Sequence, residues 1–522
     1  VLTWTDSLGL APGVYIQDRF GSEEARISIR GSALSRTYHS FGLTVMQDGI
    51  PINYADGFFD MQTIDPSAAR HVEVLRGANA ASYASSTLGG AINFVSPMGY
   101  DSPALLGRAE AGSFGYGRLQ AATGAVIRPA TAEGNIWDYH LSASAMTQDG
   151  YREHSAQDNQ KAIANAGVRI SKDLESRFFF AAVRSRSQLP GYVTRAQLLS
   201  DLSVAQSRWP EDFQRRDLDS LRVANKTVLT QGDYRLELAA YALQQQLWHP
   251  IAYGFIEQDT NTVGATLKLS TEARVRGLPN NLSIAYLPDS GSTRGSSRAV
   301  AAGFTQGAVT SDYNQKSDNH RFLFEDRLRI NERTLLIGSL QYQLARRHVS
   351  DSKLTSNNYD LDFTQWIPRL GIVQDITPHA QWFANLSRNF EPPIFGVATR
   401  MQASRAQTGN TVEIGTRGEH VWREGHDQIA WDVSLYRSWL SNEFQTVCAS
   451  GVAVCTNAFA QTVTVNVPRS VHQGLELGAS GLLSRRWESR MAMLISDFHF
   501  DENAQYGNNR LPGFPPVLLR GE

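Results

Sequence analysis

Residues 72–96 read VEVLRGANAASYASSTLGGAINFVS. Two short apolar runs, Val72–Leu75 and Ala91–Val95, flank a stretch of Gly, Ala, Ser and Thr, and Arg76 stands where the first run ends. Glycine loses more backbone entropy on folding than any other residue, so a loop this rich in small residues is costly to order. The pattern indicates two strands joined by a loop that either passes very close to another part of the protein or has to move.

The composition differs from that of an ordinary soluble protein. The chain has 522 residues, too many for one ordinary core unless the fold is a large barrel or a repeat. Charged residues make up 19%, below the roughly 25% of soluble globular chains. The formal net charge of −2 gives no electrostatic reason to expect a nucleic-acid partner. No apolar run approaches the roughly 18 residues of a transmembrane helix.

The chain divides into two regions with different patterns. Residues 1–100 are dense in Gly, Asp and turn signals, which predicts a small α/β domain. Residues 101–522 repeat stretches of about ten residues in which apolar and polar side chains alternate, the period of a β-strand. In one such stretch Tyr234, Leu236 and Leu238 share a face.

The connections between these stretches alternate in length, short at one end and long at the other. This arrangement is typical of a transmembrane antiparallel β-barrel of outer-membrane type. A soluble sandwich or propeller is the alternative, but the strands are long and no blade repeat of about 40 residues is visible. The predicted short turns are 171–176, 231–233, 331–333 and 377–379, and the predicted long loops are 189–217, 289–318, 351–362, 395–410 and 446–465.

The strand count predicts a barrel that the chain does not complete. Counting from Leu105 gives about seventeen strands, and an eighteenth begins at Pro516–Arg520. A barrel in lipid has no open edge, and bacterial barrels of one chain close with an even number of strands. We therefore expect a larger barrel, of the 22-strand type, from which material is missing at both ends.

A small domain followed by a large barrel resembles the TonB-dependent outer-membrane receptors, whose N-terminal plug fills the barrel. The order of the motifs along nearly the whole chain carries this resemblance, and the plug motifs are most similar to the ferric citrate receptor branch. One departure is Tyr83-Ala84, where the family usually has Tyr-Gly. The matching stretches are Arg26–Gly31, Val45–Pro51, Ile64–Pro66, Val72–Gly77 and Leu88–Asn93 in the plug, and Asn389–Pro393, Thr411–Gly415, His472–Leu477 and Arg510–Pro515 in the barrel.

The resemblance implies a receptor in the bacterial outer membrane that imports a metal chelate. The cargo that it favours is a ferric siderophore or a ferric citrate-like complex. Import into the periplasm would draw its energy from TonB and the inner-membrane complex that energises it. We expect a monomer in outer-membrane lipid, with the transported chelate as ligand and no bound cofactor. Other cargoes are nickel, zinc or cobalt metallophores and cobalamin. A passive porin-like channel is the alternative from a different class, and an outer-membrane enzyme or adhesin is a further one.

The resemblance also implies ion pairs between plug and barrel. In the family, two plug arginines pair with two glutamates of the barrel wall, and the matching residues here are Arg30, Arg76, Glu413 and Glu476. Arginine forms bidentate pairs with carboxylates, which gain strength when they are shielded from water. The alternative is that each is an ordinary solvated charge of a polar barrel interior.

Cargo contacts are expected at the plug apex and in the outer loops. Arginine suits a chelate with carboxylates, and aromatic rings supply flat apolar contact. His39 and His249 could touch a metal, but a single His more often makes hydrogen bonds, so we predict no metal site. The plug candidates are Arg36, Tyr38, His39, Tyr54, Asp56, Phe58 and Phe59, and the loop candidates are Trp209, Arg215, Arg216, Trp248, His249 and Tyr253.

The only two cysteines, Cys448 and Cys455, lie close together in VCASGVAVC. We interpret them as a small disulfide loop in an oxidising compartment, with two unrelated thiols as the alternative. Signals for an enzyme are poor. The stretch Gly112–Gly117 lacks GxGxxG spacing, and the sequence shows no nucleophile with an adjacent base. We therefore expect no catalytic residues.

Overall fold

The computed structural model describes residues 3–20, 24–33, 41–129, 134–394, 405–423, 427–448 and 462–522. Within these ranges the N-terminal domain, called the plug, combines two small sheets with short helical turns. Its elements are α1 (Trp4–Leu8), β1 (Val14–Phe20), β2 (Glu24–Ile29), β3 (Thr44–Gln47), β4 (Ile50–Pro51), β5 (His71–Arg76) and β6 (Gly90–Val95), with 3-10 turns at Met61–Thr63, Pro66–Ala68 and Gly77–Tyr83.

The stretch 72–96 forms the central part of the plug. β5 and β6 are the two predicted strands, and they pair antiparallel in a sheet of order β4-β3-β6-β5. β3 pairs parallel to β6, while β1 and β2 form a separate hairpin. The apolar sides of both sheets and of α1 share one core that includes Trp4, Ile16, Ile92 and Phe94.

The rest of the described chain is a wall of eighteen strands, with one short helix, α2 (Arg195–Ser200), in a loop. The strands are β7 (Leu106–Ala111), β8 (Gly117–Ile127), β9 (Ile136–Gln148), β10 (Gln157–Arg169), β11 (Leu174–Gln188), β12 (Arg215–Gln231), β13 (Tyr234–Ile251), β14 (Gly254–Val275), β15 (Leu278–Ala301), β16 (Thr305–Arg329), β17 (Thr334–Asp351), β18 (Tyr359–Thr377), β19 (Ala380–Glu391), β20 (Gln407–Arg423), β21 (Asp427–Cys448), β22 (Thr462–Leu483), β23 (Trp487–Phe500) and β24 (Val517–Gly521).

The strands follow one another around the wall in chain order. The strand order is that of a barrel in which β24 lies beside β7. In the described residues, paired registers run between chain neighbours from β7 to β24, and none joins β24 to β7. The large many-stranded antiparallel barrel is confirmed, and its completion to 22 strands stays a prediction.

The alternation of side chains along the strands is inverted relative to a soluble protein. Large apolar residues point outward and are exposed, as at Leu119 (65%), Trp366 (56%) and Leu370 (64%). The residues between them point inward and are polar but buried, as at Gln120 (6%) and Arg369 (8%). An apolar outside and a polar inside are what lipid outside and a polar lumen require. No helix among the described residues is long and apolar enough to cross a membrane.

The predicted long loop at 289–318 is wrong. These residues continue β15 and β16, strands of 24 and 25 residues, and only 302–304 stand between them. The stretch is rich in Ser, Gly and Asp, which resembles a loop, but ladder hydrogen bonds form between backbones whatever the side chains are. Spanning the bilayer takes only about 9–11 residues, so this hairpin extends well beyond the membrane with polar residues on both faces.

Candidate functional site

Arg30 lies at the end of β2, where the backbone turns sharply. Its φ is 56° and that of Gly31 is 83°, so two consecutive residues are left-handed. For a residue with a side chain this conformation is strained and persists only where the surroundings enforce it. Gly31 has no alternative, because a Cβ there would overlap the ring of His472 on β22. The turn presses this corner of the plug against the wall.

The guanidinium of Arg30 bridges two carboxylates of the wall. Its Nη2 lies 2.5 Å from Oε1 of Glu413 on β20, and its Nε lies 3.2 Å from Oε1 of Glu476 on β22. The side chains of all three residues are fully buried. Burial by itself lowers the pKa of Arg30, but Glu413 and Glu476 outweigh it and raise that pKa well above its usual value. Arg30 is therefore held as a cation away from water.

Arg76, at the end of β5, joins the same cluster. Its Nη1 donates to Oε2 of Glu476 at 2.8 Å, and its Nη2 donates to Asp432 on β21. Burial lowers the pKa of Arg76, and the carboxylates of Glu476 and Asp432 raise it further than burial lowers it. The structure thus brings the four residues Arg30, Arg76, Glu413 and Glu476 together, with Glu476 shared by both arginines.

Neutral groups add hydrogen bonds to the carboxylates of this cluster. Asn385 donates to Oε2 of Glu413 at 2.8 Å, and Ser434 donates to Oε2 of Glu476 at 3.0 Å. The ring of Tyr436 lies 4.5 Å from the guanidinium carbon of Arg30. His472 Nδ1 lies 2.9 Å from the carbonyl oxygen of Arg30 and bonds to it when that nitrogen is protonated. A buried charge keeps its place only when it is paired and hydrogen-bonded in this way.

A second set of ion pairs, with reversed polarity, joins the plug to the opposite wall. Asp65 of the plug pairs with Arg118 on β8 at 3.1 Å and accepts from Ser144 on β9 at 2.7 Å. Asp60 of the plug pairs with Arg216 on β12. Burial raises the pKa of Asp65, but Lys161 and Arg118 outweigh it, and the net pKa is below the usual value. The plug is basic towards β20–β22 and acidic towards β8–β12.

Two of the plug candidates for cargo contact are buried in the closed protein. Phe59 is wrong as a cargo residue, because it is fully buried in the plug core. Tyr54 is buried as well, and its hydroxyl donates to Asp60 at 2.8 Å. Asp56 and Phe58 are half-buried. Phe58 packs against Phe41, Ile394 and Phe444. Arg36, Tyr38 and His39 lie outside the described residues.

The loop candidates mostly contact their own surroundings. Trp209 packs against the rings of Phe213 and Phe304, each with centroids 5.6 Å away. Trp248 lies 5.7 Å from Phe255 in the same way. Tyr253 is half exposed, at 50%.

The three remaining loop candidates are charged or polar. Arg215 pairs with Asp217 at 2.9 Å. His249 Nδ1 lies 2.7 Å from the carbonyl oxygen of Arg215. Arg216 is the wall partner of plug residue Asp60, and its contact with the cargo stays a prediction. A sequence motif does not show which way a strand-end arginine points.

The described residues contain no group of three or more His, Cys, Asp or Glu that could hold a metal ion. Cys448 ends β21 and is disulfide-bonded, whereas Cys455, the other cysteine of the sequence, lies outside the described residues.

Sequence reasoning missed several residues that hold the plug. They are Asp60, Asp65, Arg118, Asp432 and His472. Asp65 stands inside the motif Ile64–Pro66, so its motif was visible but its partner was not. Arg118 and Asp432 are single charges on alternating strands, and only the closed wall brings them to the plug.

A wide β-barrel with an apolar outside, filled by a folded plug that ion pairs hold to its inner wall, defines a plugged transport receptor of the outer membrane. Comparison with protein families agrees with this class. The model "TonB-dependent Receptor Plug Domain" matches residues 1–91, and "TonB dependent receptor-like, beta-barrel" matches residues 87–520. The chain belongs to the TonB-dependent receptor family, whose members are transport receptors in the outer membrane of Gram-negative bacteria.

Solved structures share the fold at low sequence identity. The unliganded ferric citrate transporter FecA is 16% identical, with a TM-score of 0.80 over 100% of this chain and 79% of that one. The siderophore receptor PiuA from Acinetobacter baumannii is 15% identical, with a TM-score of 0.75 over 100% and 82%. The ferric-catecholate import receptor Fiu from K12 E. coli is 14% identical, with a TM-score of 0.74 over 100% and 81%.

Proposed function

We propose that this protein binds a ferric chelate, either a siderophore or a ferric citrate-like complex, and imports it into the periplasm with energy supplied through TonB. The observation that carries the proposal is the plug. It fills the barrel, and hydrogen-bonded ion pairs at two opposite walls hold it there. Such a lumen is closed at rest, so passage of a cargo requires work on the plug.

The polar contacts that hold the plug in the barrel support the proposal that the plug moves during import. A large apolar interface would have to be exposed to water as one unit before the plug could shift. Ion pairs and hydrogen bonds can be exchanged for water one at a time, and the lumen wall that they leave is already polar. A bound ligand shifts the equilibrium between the resting plug and a displaced plug only if it binds one of these two states more tightly than the other. We infer that a bound chelate favours the plug state on which TonB acts.

The iron cargo is supported by the likeness to solved structures whose titles name ferric citrate and siderophore receptors. At 14–16% identity these structures share the fold with this chain. The choice of iron over nickel, zinc, cobalt or cobalamin therefore rests on the test below.

Binding of a chelate panel to the purified protein tests the proposal. The panel holds ferric citrate, a ferric catecholate, a ferric trihydroxamate, a nickel metallophore and cobalamin, and binding is measured by quenching of tryptophan fluorescence. We expect saturable quenching by at least one ferric chelate and none by its metal-free form. Binding of cobalamin or of the nickel chelate alone would contradict the iron cargo, and binding of none would contradict the receptor function.

A further inference from the structure

His472, on β22, stands between the wall and the plug corner formed by Arg30 and Gly31. Its side chain is fully buried, and its ring stacks on Phe498 of β23 with the centroids 4.5 Å apart. On the other side, a Cβ on Gly31 would overlap the same ring. The imidazole is therefore packed tightly between plug and wall, and its neighbours decide which protons it carries.

The two ring nitrogens of His472 both face oxygen atoms. Nδ1 lies 2.9 Å from the carbonyl oxygen of Arg30, and a carbonyl oxygen can only accept a hydrogen bond. Nε2 lies 3.2 Å from Oε1 of Glu443 on β21. This second contact is not aligned as a hydrogen bond, but it is close enough for an ion pair, which depends on distance rather than on alignment.

Neither neutral form of the ring suits both neighbours. A neutral imidazole has one N–H group, and its other nitrogen presents a lone pair. With the hydrogen on Nδ1, the lone pair faces the carboxylate of Glu443. With the hydrogen on Nε2, it faces the carbonyl oxygen of Arg30. Either arrangement is repulsive, and burial weakens the screening that water would supply. The imidazolium, with two N–H groups, is the form of His472 that fits both sides.

The hydrogen bonds of Glu443 place the additional proton on the ring rather than on the carboxyl group. Gln445 Nε2 donates to Oε1 of Glu443 at 2.8 Å, and Ser470 Oγ donates to Oε2. Both oxygens accept, as those of an ionised carboxylate do. Glu443 is therefore the counter-ion of His472.

The charged groups around His472 also favour a cation there. The cluster described above sets three carboxylates against two arginines, and Glu443 adds a fourth carboxylate. Glu391, on β19, is buried too, and its charge acts on Glu443. An excess of negative charge stabilises a protonated imidazole. Among the described residues, the charged groups on this side of the lumen are Arg30 and Arg76 of the plug, Glu391, Glu413, Asp432, Glu443 and Glu476.

We propose that His472 is a proton-dependent latch, which holds the corner Arg30–Gly31 of the plug as an imidazolium paired with Glu443. Loss of the proton turns the contact with Glu443 or with Arg30 into a repulsive one and loosens the corner. Because the seated plug favours the protonated ring, the support from His472 is complete at low pH and shrinks as the pH rises. Histidine ordinarily changes its charge between about pH 5 and about pH 8. His472 is thus a positioning residue of the plug, whichever cargo the receptor carries.

Cleavage of the plug under native conditions measures the latch. The purified full-length protein is exposed to thermolysin between about pH 5.5 and about pH 8, and the rate of plug cleavage follows the fraction of molecules in which the plug is open. An unstructured peptide corrects for the activity of the protease at each pH. One linked proton changes the open fraction by at most about tenfold per pH unit, and we expect a rise of about tenfold over the whole interval.

Glu443→Gln separates the charge of the latch from its packing. The new amide donates to Nε2, so a neutral ring with its hydrogen on Nδ1 fits both neighbours. We expect this variant to be cleaved at one rate throughout, within about twofold of the wild type at low pH. His472→Gln takes up no proton, and we expect a faster rate that is also independent of pH.

His499→Gln is the matched control. His499 pairs with Asp497 at 3.3 Å, and both lie on the face of β23 opposite to that of buried Phe498. This variant loses a histidine–carboxylate pair of the same wall that does not hold the plug, so the wild-type pH profile is expected. Migration as a folded barrel in unheated gels shows that each variant has folded.

A wild type that is cleaved at the same rate at every pH would overturn the latch. A pH dependence that persists in His472→Gln or in Glu443→Gln would do the same. Glu391→Gln is expected to keep the wild-type profile, and a profile that this variant alone flattens would assign the proton to Glu391 and overturn the role of His472. No cargo enters the measurement, so a receptor that imports no ferric chelate would contradict the proposed function and leave the latch standing.

Discussion

At the scale of single residues, the protein places charge where water is absent and pairs it. Arg30 and Arg76 share Glu476, and each has a further carboxylate of its own in Glu413 or Asp432. Removing one partner of a buried pair costs about 3–5 kcal/mol, whereas an exposed pair contributes about 1 kcal/mol at most. The grip of the plug on β20–β22 therefore depends on a few residues.

Substitution of Glu476 by Ala is expected to impair uptake with little loss of surface expression. The change leaves Arg76 with Asp432 alone and Arg30 with Glu413 alone, so the resting position of the plug loses about 3–5 kcal/mol of support. Arg76→Ala is expected to act in the same direction. Uptake of a chelate by cells and surface labelling are measured together. Exposed Arg70, paired with Asp101 and 59% accessible, supplies the control Arg70→Ala, and equal uptake in all variants would contradict the clamp.

The pairing of Asp65 predicts how the plug responds to acid. Its pKa in the folded protein lies below the 3.8 of an ordinary Asp. Well above pH 3.8 the carboxyl group of Asp65 is ionised in both the folded and the unfolded protein, and its stabilisation of the fold is complete. As the pH falls below 3.8 the unfolded state takes up a proton first, and the stabilisation shrinks until the folded pKa is passed.

Cleavage of the plug by pepsin, followed between about pH 5 and about pH 2, measures this loss. We expect the rate of cleavage in the Asp65 region to rise as the pH falls through that interval, after correction for the activity of pepsin. Asp65→Asn is the control, and its cleavage is expected to be fast throughout. A wild type and an Asp65→Asn variant with the same pH profile would contradict the assignment.

At the scale of elements, small residues in the stretch 72–96 serve close packing. Gly90 begins β6 with φ 92°, and a Cβ there would collide with the carbonyl oxygen of Leu75 on the neighbouring strand. A Cβ on Gly89 would overlap the side chain of Leu43. The loop between the two strands is wound into the 3-10 turn Gly77–Tyr83, so it is ordered rather than slack. The close approach of neighbouring atoms therefore explains why positions 89 and 90 are glycine.

Gly90→Ala is expected to destabilise the plug by about 2 kcal/mol or more, since the left-handed conformation and the collision with backbone both oppose a side chain. The measurement is the urea concentration at which a protease begins to cut the plug while the barrel stays folded. Gly338→Ala on β17 is the matched control, because a Cβ there meets nothing within 4 Å. If both variants shifted the midpoint equally, the packing explanation would fail.

At the scale of the whole molecule, opposite charges on opposite faces of the plug fix how it sits in the barrel. Acidic wall residues on β20–β22 face its arginines, and basic wall residues on β8–β12 face its aspartates. A small rotation of the plug about the barrel axis would break these pairs, and a half-turn would bring like charges together, which is unfavourable. The plug therefore has one resting orientation and blocks the lumen in it.

The protein is expected to show no steady conductance in planar lipid bilayers, because the plug occupies the lumen. A variant without residues 1–95 is the matched comparison and is expected to conduct at all voltages as a wide pore. Steady conductance by the wild type at the level of the deletion variant would support the passive-channel alternative instead.

Much of the fold could be predicted from the sequence because its signals are local. Alternation along a strand is decided by the few residues of that strand, and the motif order identified the family and, through it, four residues of the clamp. Prediction from the sequence failed where one local pattern is compatible with two different structures. The polar stretch 289–318 looks like a loop but continues two strands, and nothing in the sequence around Arg216 indicates that it pairs with Asp60.

The sequence by itself determined a plug, a large antiparallel barrel and the arginines and glutamates that join them. Only the tertiary structure decided which charges meet, because the partners are distant in the chain: Asp65 and Arg118 are 53 residues apart, and Arg30 and Glu476 are 446 apart. Residues 72–96 show both what local sequence determines and what only the tertiary structure decides. Their two strands follow from residue patterns, whereas the partner of Arg76 and the need for Gly90 depend on what closure of the wall and folding of the plug bring within reach.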